Sequence, residues 1–227
     1  VGIAGVASCG LRVWKIFRDK PDPDGEFYVE GESYLRALGE AAVSPKVRVV
    51  NLSIGGGDPS QTEQDLFTLL AERDKVVVAA MGNDYERGNP VEYPAAYRHV
   101  VAVWAVDRAL RRASFSNTGR HITIAAPGKD ILSTLPMRAS RYIDDSESQY
   151  AHWDGTSMAT PHVSGCLALL CAQSPGWTST QIVSHLESTA RRLPMMGRRS
   201  FSTQCGHGLV YLPALLQAPR ASDRRGL

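Results

Sequence analysis

The chain has 227 residues, 43% of them hydrophobic, which suits one sizeable domain with its own core. A formal charge of +2 is too near balance for a nucleic-acid footprint, and no uninterrupted apolar run is long enough to cross a membrane. Four Cys are too few for a disulfide scaffold at this size, and the six His are scattered with no zinc-like spacing.

Arg12 to Phe17 reads as a short strand, and Arg18 to Gly31, rich in Asp, Pro and Gly, as a surface loop. Glu32 to Val43 reads as a helix with Leu35, Leu38 and Ala42 on one face. Val47 to Ile54 is a near-continuous apolar strand, as a buried parallel strand should be. An amphipathic helix follows over Thr62 to Arg73, then strands over Lys75 to Met81, Val100 to Val106 and Ile122 to Ala126. Gly155-Thr156-Ser157 leads into the apolar run Val163 to Ala172, which reads as a buried helix; Pro161 is expected in its first turn, where no donor is lost. Thr178 to Arg191 is a further helix, opened by Thr178 and Gln181 in capping-box spacing.

This alternation predicts an α/β fold: three layers, a mostly parallel sheet with helices on both faces. Residues 1–216 form the domain, and 217–227 a C-terminal tail. The paired arginines at 191–192, 198–199 and 224–225 read as solvated faces. Cys166 and Cys171 lie too awkwardly spaced on one helix to bridge and read as buried free thiols. Cys9 and Cys205 can pair only if the fold brings them together.

In such a sheet, ligands bind beyond the carboxyl ends of the strands. Three of those ends are unusual: Asn51-Leu52-Ser53-Ile54 running into Gly55-Gly56-Gly57, the strand ending in Gly82-Asn83-Asp84, and the Gly155-Thr156-Ser157 turn. Gly55-Gly56-Gly57 lacks the Lys of a phosphate-binding loop and is not GxGxxG. Close approach to an extended ligand and a plain tight turn both stand as readings of it. Ser157 sits where a chain delivers a nucleophile to a helix, yet a Ser hydroxyl needs a general base, and none stands beside it in sequence.

Several blocks carry a family resemblance. Asn51 to Gly56, Val76 to Asn83, Tyr93-Pro94-Ala95, Arg112 to Asn117, Ala125 to Gly128 and Gly155 to Gly165 resemble, in order and near spacing, the subtilisin-like serine proteases. Pro175 to Thr178 and Gly206 to Val210 resemble that family's closing helix and strand, so the likeness runs from Val1 to about Leu216. It implies a serine endopeptidase working through an acyl-enzyme. Ser157 matches the nucleophile, at the positive end of a helix dipole, and Thr156 lies beside it. Asn83 matches the side chain that donates to the oxyanion, together with the Ser157 backbone N–H. Ser53, Ile54 and Gly55, and Ala80, Met81 and Gly82, match the two segments that flank a bound peptide, which pairs with them by strand addition. Met81 stands where relatives commonly have Ala and is expected to reshape the pocket near the cut. Glu92 stands where many relatives have Gly, at the base of the main specificity pocket; a carboxylate there favours Arg or Lys before the scissile bond, and a solvated loop Glu is the equal alternative.

Ala95, Tyr97 and Val100 match a place where some relatives hold a weak cation through backbone carbonyls. The chemistry requires no cofactor or metal, though the resemblance allows structural calcium. The family's catalytic Asp and His belong to motifs that this sequence lacks: there is no His-Gly-Thr, His162 reads as a packed or capping His, and Asp154 is not the triad acid. The expectation is therefore the C-terminal part of a catalytic domain, N-terminally incomplete and inactive alone, whose partners are a polypeptide substrate and an N-terminal fragment or pro-segment supplying Asp and His. The alternatives are a pseudoprotease that only binds extended peptides, and an α/β-hydrolase esterase, disfavoured because Gly155-Thr156-Ser157-Met158-Ala159 lacks that elbow's second Gly. Relatives are mostly secreted and some intracellular, which makes secretion the expected location.

Overall fold

A computed structural model describes residues 3–23, 25, 27–135 and 149–217. Four strands, β1 (Val49–Leu52), β2 (Val76–Ala80), β3 (Val100–Val106) and β4 (Ile122–Pro127), form a sheet in the order β1-β2-β3-β4 with every pair parallel. Strands β2 and β3 are built from Val, Ala and Trp and are buried along their whole length, as parallel strands covered on both faces must be.

Successive side chains alternate between two cores. Val77, Ala79, Met81, Ala102, Trp104 and Val106 pack toward α1 (Gly31–Val43) and α2 (Gln61–Glu72). Val76, Val78, Val101, Val103, Ala105 and Ile124 pack toward α3 (Thr156–Gln173) and α4 (Ser179–Ser188). The three-layer α/β expectation is met. Helix α2 is opened by Ser60, whose hydroxyl accepts from the Glu63 N–H, and α4 by the Thr178–Gln181 capping box read from the sequence. Trp104, wholly buried, donates its indole N–H to the Cys205 carbonyl at 3.1 Å, so its one polar atom is satisfied. A short helix, α5 (Leu212–Leu215), closes the second core.

Three expectations are corrected. Arg12 to Phe17 forms no strand: it has no ladder neighbour beyond an isolated bridge from Phe17 to Val29. A two-stranded antiparallel ribbon, β5 (Ile131–Thr134) with β6 (Tyr150–Trp153), precedes α3 and was not expected, because its burial is too slight to leave an apolar pattern. Pro161 falls inside α3 rather than in its first turn, because the helix already begins at Thr156. All four Cys are free; Cys9 is exposed and Cys205 buried, and burial pushes the Cys166 thiol up to about 11. Arg191, Arg192, Arg198 and Arg199 are exposed, as expected, whereas Arg224, Arg225 and the tail from Ala218 lie outside the described residues.

Candidate active site

The carboxyl ends of β1 and β2 and the start of α3 converge on one place. After β4 the chain turns at Gly128, whose carbonyl accepts the Gly155 N–H at 2.8 Å and so brings the start of α3 to the sheet's edge. A side chain at Gly128 would meet Ala105 Cβ at 2.6 Å and the Gly155 carbonyl at 2.7 Å, so only Gly permits this approach. Ser157 becomes the second residue of α3 and is half-buried.

Thr156 links the two strand ends to the helix. Its backbone N–H and its hydroxyl both donate to Asn83 Oδ1, at 2.9 and 3.0 Å, while the same hydroxyl accepts the Gly82 N–H at 3.2 Å. Two donors on Oδ1 fix the orientation of the Asn83 amide, so the end left to serve a ligand is the NH2 group. Asn83 is exposed and Thr156 wholly buried. Thr156, expected to touch substrate, is instead closed off by its own hydrogen bonds; it holds Asn83.

Ser157 and Ser53 clasp one another. The Ser157 hydroxyl donates to the Ser53 carbonyl at 3.2 Å, and the Ser53 hydroxyl donates to the Ser157 carbonyl at 2.9 Å. Ile54 is half-buried beside the first core and Gly55 is exposed. On the other side, Ala80 and Met81 are buried. Met81 corrects an expectation: its side chain lies in the core on the α1 and α2 side and does not shape an open pocket. Gly82 is likewise committed, donating to Thr156 and accepting the Asn117 N–H at 3.1 Å, so both its backbone groups already have partners and little is left for strand addition.

Glu92 lies directly beneath these two segments. A Cβ built on Gly55 would stand 2.5 Å from one Glu92 carboxylate oxygen, and one built on Gly82 would stand 2.2 Å from the other. The carboxylate thus fills the slot between the two strand ends, and Gly82, at φ +105°, is the position there that needs Gly. Asn117 Nδ2 donates to Glu92 Oε1 at 2.9 Å. Burial pushes the Glu92 carboxyl above the usual range, and the nearby Asp84 charge adds to this; hydrogen bonds from Asn117 and the Asn83 backbone pull the other way. The role of Asn117 was missed in the sequence, where it closes the Arg112 to Asn117 block with nothing to mark it.

No imidazole among the described residues hydrogen-bonds to Ser157. His162 sits 2.9 Å from the Met158 carbonyl within α3, and His152 pairs with Asp130 at 2.8 Å. His185 faces the Leu215 carbonyl, and His207 lies 3.7 Å from Glu187. Asp154 accepts the Asp130 N–H at 2.7 Å beside the Ile131–Trp153 pair of the β5–β6 ribbon, which is not a triad contact. Among the described residues no three His, Cys, Asp or Glu side chains gather to hold a metal ion, and no helix is long and apolar enough to cross a membrane. Ala95 and Tyr97 are buried, and the Tyr97 ring packs against Phe67 and Tyr93.

A parallel α/β sheet that meets a helix-borne Ser and a fixed Asn amide at its carboxyl edge is the architecture of the subtilisin-like proteins. The sequence model of the subtilase family (Peptidase S8) matches residues 3–208, and the chain belongs to that family. It is 34% identical over 220 residues to subtilisin of Bacillus pumilus, covering 96% of this chain and 72% of that protein. It is 34% identical over the same length to subtilisin E of Bacillus subtilis (strain 168), of which it spans only 52%. Among solved structures, fervidolysin from Fervidobacterium pennivorans, described as a keratinolytic enzyme related to subtilisin, superposes with a TM-score of 0.72 at 32% identity, over 83% of this chain and 29% of that one.

Proposed function

We propose that this chain carries the nucleophile and oxyanion half of a serine endopeptidase site. The observation that carries the reading is the pairing of Ser157, at the start of α3, with an Asn83 amide whose oxygen is pinned by Thr156. Ser157 Oγ attacks the peptide carbonyl carbon as its proton passes to an imidazole. The carbonyl oxygen becomes an oxyanion, met by Asn83 Nδ2, the Ser157 N–H and the positive end of α3. The C–N bond then breaks, the departing amine takes the proton from the imidazole, and an acyl-Ser157 ester remains for water to hydrolyse. The imidazole and its orienting carboxylate come from a His- and Asp-bearing segment, upstream or on another chain, since no described His reaches Ser157. The chemistry needs no metal, and secretion accords with it.

The substrate is an extended polypeptide running along Ser53 to Gly55. Glu92, in the slot between Gly55 and Gly82, selects Arg or Lys as the residue before the scissile bond. A panel of peptides differing only there, in Arg, Lys, Phe or Leu, tests both parts. With the His- and Asp-bearing segment present, basic peptides are cut faster and Glu92→Gln erases the difference. Asn83→Ala lowers turnover of all four by roughly 10²–10³, the range that loss of one oxyanion donor costs in a subtilisin, a member of the same family. Indifference to Glu92→Gln refutes the basic preference; cleavage that survives Ser157→Ala refutes the nucleophile.

A pseudoprotease that keeps the groove and only binds peptide is the second reading, favoured by the lack of any described imidazole at Ser157. It predicts peptide binding with no turnover in any form of the protein.

A further inference from the structure

Helix α3 carries Pro161 in its interior, and the consequence falls on Ser157. In an α-helix the N–H of residue 161 would donate to the carbonyl of residue 157. Proline has no N–H, and its ring pushes the carbonyl four residues back away from the helix axis. The Ser157 carbonyl therefore loses its ordinary helical donor, at the one residue expected to do chemistry. What meets it is the Ser53 hydroxyl, at 2.9 Å from the far side of the groove.

The direction of that hydrogen bond is set by a chain of side chains. Ser164, on α3, lies 2.8 Å from Asn51 Oδ1 at the end of β1 and 3.2 Å from the Thr160 carbonyl, and the shorter contact takes its one proton. With its oxygen so engaged, Asn51 presents Nδ2, which donates to the Ser53 hydroxyl oxygen at 3.0 Å. A hydroxyl that accepts from Asn51 has its own proton directed elsewhere, and that proton goes to the Ser157 carbonyl. The Ser53 carbonyl in turn accepts the Ser157 hydroxyl at 3.2 Å. One residue thus holds both polar ends of the nucleophile's residue, main chain and side chain.

We propose that Ser53 is a positioning residue for Ser157, and that it is required because Pro161 leaves the Ser157 carbonyl without a helical donor. The role rests on the reading of Ser157 as the nucleophile. It differs from a groove-lining role, because the Ser53 hydroxyl acts through Ser157 and not on substrate. It also explains why a helix this well packed tolerates an interior proline: Ser53 takes up the freed carbonyl and ties the helix start to the end of β1. Asn51 and Ser164 act one step further back, by fixing which way the Ser53 proton points.

A double-variant cycle tests this. Ser53→Ala removes the donor, and Pro161→Ala restores a backbone N–H to the Ser157 carbonyl. With the His- and Asp-bearing segment present, Ser53→Ala slows fluorophosphonate modification of Ser157 by roughly ten- to a hundredfold, the scale of a small misplacement of a reacting group. In the Pro161→Ala background the same substitution slows it by less than about threefold, because the misplacement is largely relieved. Asn51→Ala gives an intermediate loss. Crystal structures of the same variants provide a readout that needs no reactivity: Ser53→Ala displaces the Ser157 carbonyl and Oγ, and adding Pro161→Ala returns them. An undisplaced Ser157 in Ser53→Ala, or equal slowing in both backgrounds, overturns the proposal. Displacement and return with no modification of any form, the parent included, would instead overturn the nucleophile reading and leave the clasp standing.

Discussion

Two stretches of this molecule are built from similar residues and meet different fates. In β2 and β3, Val, Ala and Trp are buried without exception and hydrogen-bonded strand to strand. In residues 11–17, Leu11 and Val13 stand on either side of Arg12 with side chains as apolar as those of the strands, yet they are 88% and 87% exposed. That stretch is fastened instead by Arg12 and Trp14, which both reach Glu40 at 2.9 Å, and by the Glu30 N–H on the Ile16 carbonyl at 2.7 Å. Strand-forming residues are stabilised by neighbours on the sheet and by burial more than by their own backbone preference. The same contrast bears on where the proposed half-site is held in place. Ser157 and Asn83 sit at the rim of the dry, fully laddered region, whereas residues 11–17 position nothing in the site.

Either pole of this contrast can be perturbed, and the largest effects belong to the core. Leu167, wholly buried in α3 behind the sheet, should cost about 2–5 kcal/mol when cut to Ala in urea unfolding, because a cavity is left under β2 and β3. Thr156→Val removes the hydroxyl that joins Gly82 to Asn83; the loss should be about 1–3 kcal/mol, with the buried Gly82 N–H left unpaired. If Thr156→Val were neutral, the two strand ends would not depend on that bridge.

Two half-buried groups make stability depend on pH. Burial lowers the His121 pKa below its ordinary value, so the unfolded chain binds the proton more readily. Full stability is kept above about pH 6.5, where the group is neutral in both states, and is lost as pH falls toward the lowered folded value; His121→Gln should flatten the decline. Glu92 runs the other way. Its pKa is raised by burial, so its ionised form lowers stability above the raised value, and protonation relieves this as pH falls. Glu92→Gln should therefore raise Tm at neutral pH, with the gain vanishing in acid. A gain that is equal at both pH values would place the effect outside the carboxylate's charge. The smallest change is expected in the exposed stretch: Leu11→Ser and Val13→Ser should each shift stability by less than about 0.5 kcal/mol.

The sheet and its helices were legible because burial on two faces leaves near-continuous apolar runs: Val100 to Val106 coincides with β3, and the capping box at Thr178 opens α4. Arg12 to Phe17 misled for the converse reason, since β-forming residues record which segments could pair and not whether a neighbour is there. The chemical residues were legible only through their flanking blocks. What those blocks hid was geometry. Thr156 turned out to face Asn83, Met81 turned into the core, and Pro161 lay deeper in the helix than its spacing from the apolar run implied. Asn117 and Asn51 could not be picked out, because a single Asn near a strand end has many uses and its partners are distant in sequence.

That Ser157 is the nucleophile of a site completed by a separately supplied imidazole stands or falls on intact-mass analysis after fluorophosphonate treatment. One adduct, mapped to Ser157, is expected when the His- and Asp-bearing segment is present, with none on this chain alone and none in Ser157→Ala. An adduct that persists in Ser157→Ala, or no adduct in the completed protein, would contradict it.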